Sequence, residues 1–423
     1  METVHKDWRN IWACKKGYFM LEIIFINVIL FQNIILRFLP DNKLFNYWDE
    51  LVFIVLFCFL MIKFINNKIE INEIRYVFIF GGIICIGIIG NIAFKYQTSI
   101  NAIIRDIVGF FKFPLTLVIL YKLNFTKKMA KKFYKIIPLI KMIMMIIFIL
   151  GIISLFVDLG LSQPEYRHGI HPYMFLFTHP TYITTFEIMI LLALNAANDC
   201  TFIDECVALL TIALGMRTRG FVFIAIYFFI KYGKAWFKRV KVLYWLFISI
   251  LIMAVSYSKL MLYVSYSTSP RETLYKGSLQ LIKLCMPIGS GFGTFASHLS
   301  AKMMSGVYNV IHIAGLYNDN DTISPVIGDA GYPYYIGQFG IMGLALIAFL
   351  IIKLIKMTQK GINKDRNFSI NMMWLMIATS LITETILVND GVEVAVMMAI
   401  IAELSRMDIK RKVRVKLAYL EKT

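Results

Sequence analysis

The chain has 423 residues, 59% of them hydrophobic, and its 44 lysines and arginines against 26 acidic residues give a formal charge of +18. A mean hydropathy of +0.69 excludes a soluble globule, and repeated apolar runs of about 17 to 25 residues read as membrane-spanning helices. The basic residues fall in short loops between these runs, which fits sorting of cations to the cytoplasmic side and argues against nucleic acid as a partner.

In chain order the expected spans are 18–38, 48–66, 76–94, 103–122, 137–157, 172–196, 202–216, 220–237, 242–262, 331–356, 368–388 and 389–405. The first apolar run, after Trp12, is long enough to stay as a helix and is not expected to be removed as a signal peptide. The fold class is therefore an all-α polytopic membrane protein of about 12 transmembrane helices. No repeat or low-complexity linker divides it, so 1–423 reads as a single integral membrane domain. The six cysteines are scattered, without disulfide or metal spacing.

The basic clusters at Lys127-Lys128 with Lys131-Lys132, at 231–241, at 353–366 and in the tail Lys410-Arg411-Lys412 set the orientation. Both termini are then cytoplasmic in a multi-pass protein of the cell membrane. The gap at 197–201 carries no positive charge, and the tail can also meet anionic headgroups of membrane lipids. The segment of about 263–330, between the ninth and tenth helices, is expected to be one large external loop. Ser269-Pro270-Arg271-Glu272 opens a helix that can run to Cys285, with Ser269 as cap and Pro270 where no N–H is needed. After Pro287 come the turn Gly289-Ser290-Gly291-Phe292-Gly293, a weakly amphipathic stretch, an acidic patch (Asp319, Asp321, Asp329) and re-entry at Tyr332.

A few cations oppose the sorting rule. Arg217 and Arg219 occupy a tight outer turn between apolar helices, where charge is costly unless partnered. A guanidinium gives phosphate two parallel hydrogen bonds, so the pair can clamp a lipid pyrophosphate, or simply snorkel to lipid phosphates. The gap before the sixth helix carries Arg167, His168 and His171, with His179 shortly after. A metal site would need acidic or cysteine partners, and none is spaced for it; ordinary loop histidines are the plainer reading. Lys112, Lys141, Glu187 and Glu384 are ionisable within spans, with Glu187 and Glu384 as possible partners of Lys112. The glycine turn lacks the Lys-Ser/Thr of a nucleotide loop and reads as a tight turn bringing the loop onto the bundle.

Four pieces in this order resemble one family. They are Arg167-x-Gly169 with Thr178-His179-Pro180-Thr181; Thr218-Arg219-Gly220; Arg271 with the Pro287–Phe295 turn; and Asp329 to Gly343, closing on Gln338-Phe339-Gly340. Over about 160–345 the chain resembles the O-antigen polymerase and ligase superfamily, and within it the Wzy-type polymerases of capsule and surface polysaccharides. The resemblance implies transfer of a sugar chain from a polyprenyl-diphosphate-linked oligosaccharide donor onto a similarly linked acceptor at the outer face. It implies no cofactor and no metal, and a chain-length regulator protein among the partners. Asp329, Arg219 and Arg271 would be catalytic, with Arg167, Arg217, His171, His179 and Gly291 binding substrate. Related ligases carry a histidine where this chain has Asp329, and the family's asparagine after His-Pro is Thr181 here, which leans away from a ligase. A ligase-like glycosyltransferase and a lipid-linked oligosaccharide flippase are the alternatives. Outer-loop tyrosines (Tyr263, Tyr266, Tyr308, Tyr317, Tyr332, Tyr334, Tyr335) can stack on sugars or form an interfacial belt.

Overall fold

The computed structural model describes residues 32–39, 47–66, 71–123, 125–167, 169–233, 270–303, 305–311, 330–363 and 366–420. The expected span 242–262 and most of 18–38 lie outside the described residues, as do 312–329 of the expected external loop. Among the described residues the helices are α1 (Trp48–Asn66), α2 (Ile71–Phe94), α3 (Ile100–Lys122), α4 (Phe125–Ile153), α5 (Pro180–Ala197), α6 (Phe202–Leu214) and α7 (Thr218–Phe228). A π-helical turn, Phe229–Gly233, extends α7. Beyond it lie α8 (Pro270–Leu284), the single turns α9 (His298–Lys302) and α10 (Val307–Ile311), then α11 (Gly331–Gln359), α12 (Phe368–Ser380), α13 (Ile386–Asn389) and α14 (Gly391–Leu420). Outside helices the described residues form only isolated bridges, Ser162 with Tyr173 and Arg167 with Ile170.

Helix ends follow the local chemistry. The Ser99 side chain accepts from the Ala102 N–H at the start of α3. Thr201 and Asp204 form a reciprocal capping box on α6. Pro180 opens α5, and Asn198 in the left-handed region closes it. Four described helices are long and apolar enough to cross a membrane: Arg75–Phe94, Phe125–Ile153, Pro180–Ala197 and Gly331–Gln359. In α5, 78% of the apolar window is buried, against 28% in α2 and in α4. That contrast makes α5 an inner helix and the other two rim helices, with Phe78, Leu139 and Met142 facing outward. α14 packs on α3, α4 and α5, and every residue from Val394 to Ala402 is buried.

Several expected spans are cut differently. The span expected from 172 begins at Pro180, because residues 154–167 and 169–179 are irregular, with Pro164 and Pro172 and with Gly160 and Gly169 at positive φ. α6 has 13 residues, a rise of about 20 Å, which is short of the roughly 30 Å hydrocarbon core. The expected 368–388 span stops at Ser380, and α14 carries the next helix through to Leu420.

α11 is broken at Gly340, whose φ of 55° and ψ of −164° suit only glycine. The break would strip carbonyls of their helical partners, and the glycine turn replaces them. Ser290 N–H donates to Gly337 O (3.1 Å) and Gly291 N–H to Gln338 O (2.9 Å), while Met342 N–H donates to Pro287 O (3.1 Å). Residues 289–297 are thereby buried among α2, α3 and α11, as expected of a tight turn that brings the loop onto the bundle. Asn91 of α2 secures the same turn, donating to Phe292 O and accepting from Phe292 N–H, each at 2.9 Å. Cys285, in the segment expected as the external loop, is fully buried where α8 meets this turn.

Candidate functional site

The irregular segment before α5 is pinned from several sides. Arg37 donates to Phe175 O (2.6 Å) and Gly160 O (2.7 Å), and Tyr173 N–H donates to Leu214 O (2.9 Å). Arg167 and Ile170 exchange backbone hydrogen bonds across a tight turn in which Gly169 takes a positive φ. His171 lies against the Tyr166 ring, 3.8 Å between centroids, with Nδ1 3.1 Å from Gln163 O. His168 lies outside the described residues.

This scaffold gathers three of the expected arginines around His179. Arg217 Nη2 is 3.1 Å from Gln163 Oε1 and 2.5 Å from His179 Nε2. Thr181 N–H also donates to His179 Nδ1 (3.3 Å), and since both partners only donate, the site favours a neutral imidazole. Burial pushes the His179 pKa down to about 4, helped by the nearby charges of Arg217, Arg167 and Arg219. Arg167 is the outermost of the three, with its guanidinium 3.9 Å from Glu165.

Arg219 sits deeper. It donates to the Thr181 carbonyl and to Thr185 Oγ1, and it forms an ion pair with Glu384. With a side chain only 8% exposed, Arg219 is held by protein, so Arg217 and Arg167 are the better placed of the three to meet a ligand. Glu384 belongs to the connection between α12 and α13, which ties several elements together through backbone carbonyls. Leu381 O accepts from the N–H groups of Gly331 and Tyr332 at the start of α11 (2.9 and 3.1 Å). Ile382 O accepts from Tyr275 (3.1 Å), one turn beyond Arg271 on α8. Arg271 is thus on the helix that docks this connection, but no direct contact links it to the other arginines among the interactions described.

The intramembrane charges pair otherwise than expected. Lys112 bonds Asp49 at 2.5 Å and Glu50 at 2.6 Å, not Glu187 or Glu384, because α1 packs on α3. Lys141 pairs with Asp199 (2.8 Å) and Asp204 (2.9 Å) at the far end of α5. Glu187 is fully buried, and neither carboxyl oxygen has a hydrogen-bond partner among the described residues.

Beside Arg219 lies a cavity of 990 Å³. Its walls carry Asp49, Glu50, Asp106, Lys112, Asp390 and Glu393, with Tyr182 from α5 and Ser297 and His298 beyond the glycine turn. Asp390 lies in the field of both Arg219 and Lys112. Asp106 links the cavity to the turn: Oδ2 accepts from Gly293 N–H (2.8 Å) and from Tyr334 Oη (3.2 Å), while Oδ1 has no hydrogen-bond partner among the described residues. Gly291, expected to bind substrate, is buried against Asn91 and serves packing. Asp329 lies outside the described residues. Among the described residues no group of three or more His, Cys, Asp or Glu side chains is placed to share a metal ion.

The wall carboxylates escaped the sequence reading. Asp106 and Glu393 fall within expected spans, and the rule that intramembrane charges are functional candidates would have singled them out beside Lys112. No family model, no curated protein and no solved structure matches the chain.

Proposed function

We propose that the protein is a membrane polysaccharide polymerase, acting on polyprenyl-diphosphate-linked repeat units at the outer face of the membrane. The observation that carries this reading is the meeting of two chemistries at one end of the bundle. Arg167 and Arg217 offer a cationic ledge around His179, and Arg219, in the field of Arg217, also acts on Asp390, which lines a large cavity rich in carboxyl groups. The donor diphosphate would lie on the ledge, where guanidinium groups stabilise the charge that grows as the anomeric carbon–oxygen bond breaks. The acceptor hydroxyl forms the new bond to the anomeric carbon, and its proton passes to a carboxylate. Asp329 holds that role by its place in the sequence motif, and Asp390 is a second carboxylate in reach of the cavity. Arg219 positions Glu384 and the wall behind Asp390.

Arg217→Lys keeps the charge but loses the two-pronged donor. Polymer in cells carrying it should fall by about 10²–10³, with protein level unchanged, if the contact acts in the transition state. Near-normal polymer would remove the diphosphate from this ledge. Asp329→Asn should likewise stop chain growth while single-repeat lipid-linked units accumulate; full-length polymer would transfer the base role to Asp390.

A flippase is the second reading, favoured by the break in α11, since transporters use discontinuous helices to build their sites. It expects related halves about a mid-depth site, whereas no internal repeat divides this chain. Lipid-linked units exported but not joined in a deletion strain would favour the polymerase, and units trapped inside would favour the flippase.

A further inference from the structure

The cavity itself restricts the sugar. We infer that it seats the acceptor end of the glycan, and that this sugar is uncharged or amino-bearing and carries no carboxylate or phosphate; this rests on the polymerase reading. At 990 Å³ the cavity is at the upper end of small-ligand pockets, which reach about 1,000 Å³, so it has room for more than one sugar ring.

Its charge is lopsided. Five carboxyl side chains line it against two cations, Lys112 and Arg105. Lys112 is already bridged by Asp49 and Glu50, and Arg105 points to the rim, where it meets the Tyr47 hydroxyl at 3.1 Å. Asp106, Asp390 and Glu393 remain to face a ligand. Asp106 is 1% exposed, and its Oδ1 and the Oε2 of Glu50 are buried acceptors that lack a hydrogen-bond partner among the described residues. A sugar hydroxyl or ammonium group donates to such oxygens, whereas the carboxylate of a uronate, or a phosphate group, replaces a donor with acceptors and like charge. Buried acceptors without donors are costly, so these positions select for a ligand that donates.

The experiment uses the full chain in its host. Deleting the gene should abolish polymer and leave single-repeat lipid-linked units. NMR of those units and of wild-type polymer then identifies the two sugars that polymerisation joins. The expected result is an acceptor sugar without carboxylate or phosphate. Asp106→Asn, which can still accept from Gly293 and Tyr334 but turns a donor toward the cavity, should lower polymer yield roughly tenfold at unchanged protein level. An acidic acceptor sugar, or full yield from Asp106→Asn, overturns the inference and leaves the polymerase reading standing. Polymer that persists after deletion overturns both.

Discussion

Asp106 stands between two regions built on opposite plans. On one side the glycine turn and the broken α11 are joined by backbone groups that complete each other, Ser290 and Gly291 to Gly337 and Gln338. On the other the cavity wall is held by charged side chains, Lys112 between Asp49 and Glu50 and Arg219 on Glu384, with acceptors left over. A backbone junction has one solution, fixed by where glycine is allowed. A charged wall has many, as long as the charges balance. The first is a foundation and the second is a surface that a ligand can complete.

If that distinction holds, defects in the wall should be repaired by changing charge, and defects in the junction should not. The largest effect is expected at Lys112. Lys112→Met leaves the buried Asp49 and the half-buried Glu50 without their cation, which should destabilise the protein by about 3 kcal/mol. Adding Asp49→Asn and Glu50→Gln should restore most of the thermal stability measured in detergent; failure to do so would mean that Lys112 holds the wall by shape. Gly340→Ala comes next. A side chain at that φ and ψ strains the backbone by about 1–3 kcal/mol, and its Cβ would also run into Gly289 N and Pro287 O. Its melting temperature should fall, and no charge substitution in the cavity should recover it.

The third test is pH. His179 is pushed down to about 4 in the folded protein from an ordinary 6.5. The unfolded chain therefore takes up the proton first, so the contribution of His179 is intact above pH 6.5 and is lost as the pH falls toward 4. Wild type should lose more melting temperature between pH 7 and 5 than His179→Gln, which cannot be charged. Equal losses would show that His179 does not hold the ledge as a neutral acceptor. The smallest effect is Gln163→Ala, which removes one hydrogen bond to Arg217 and should shift stability by only about 0.5–1.5 kcal/mol. A larger loss would make the ledge as rigid as the junction and blur the contrast between them.

What was legible in the sequence follows the same division. Helices with an uninterrupted apolar face, such as α2, α4 and α11, were readable from run length. Arg217 and Arg219 stood out as cations placed against the sorting rule, but their meeting with Arg167 at His179 is a tertiary fact. The glycine turn was read as a device to bring a loop onto the bundle, but nothing in its residues showed that it would mend a broken helix. That information sits in Gly340, whose backbone angles no composition rule reveals. The partners of Lys112 were missed because helix adjacency, α1 against α3, is a tertiary fact. Asp49 and Glu50 stand in the first turn of α1, where acids ordinarily complement the helix end.

The exchange of hydrogen bonds at Gly340 also bears on how the protein is made. Residues 287–291 leave the ribosome before α11 does. If α11 entered lipid without them, the bare carbonyls of Gly337 and Gln338 would each cost several kcal/mol with no water to meet them. The turn is thus a partner made in advance, ready when its helix arrives. Moving it downstream of α11 by circular permutation would keep every contact of the finished fold but reverse the order of supply. The permuted chain should then fail at membrane integration, and its losses should be found in degradation during synthesis.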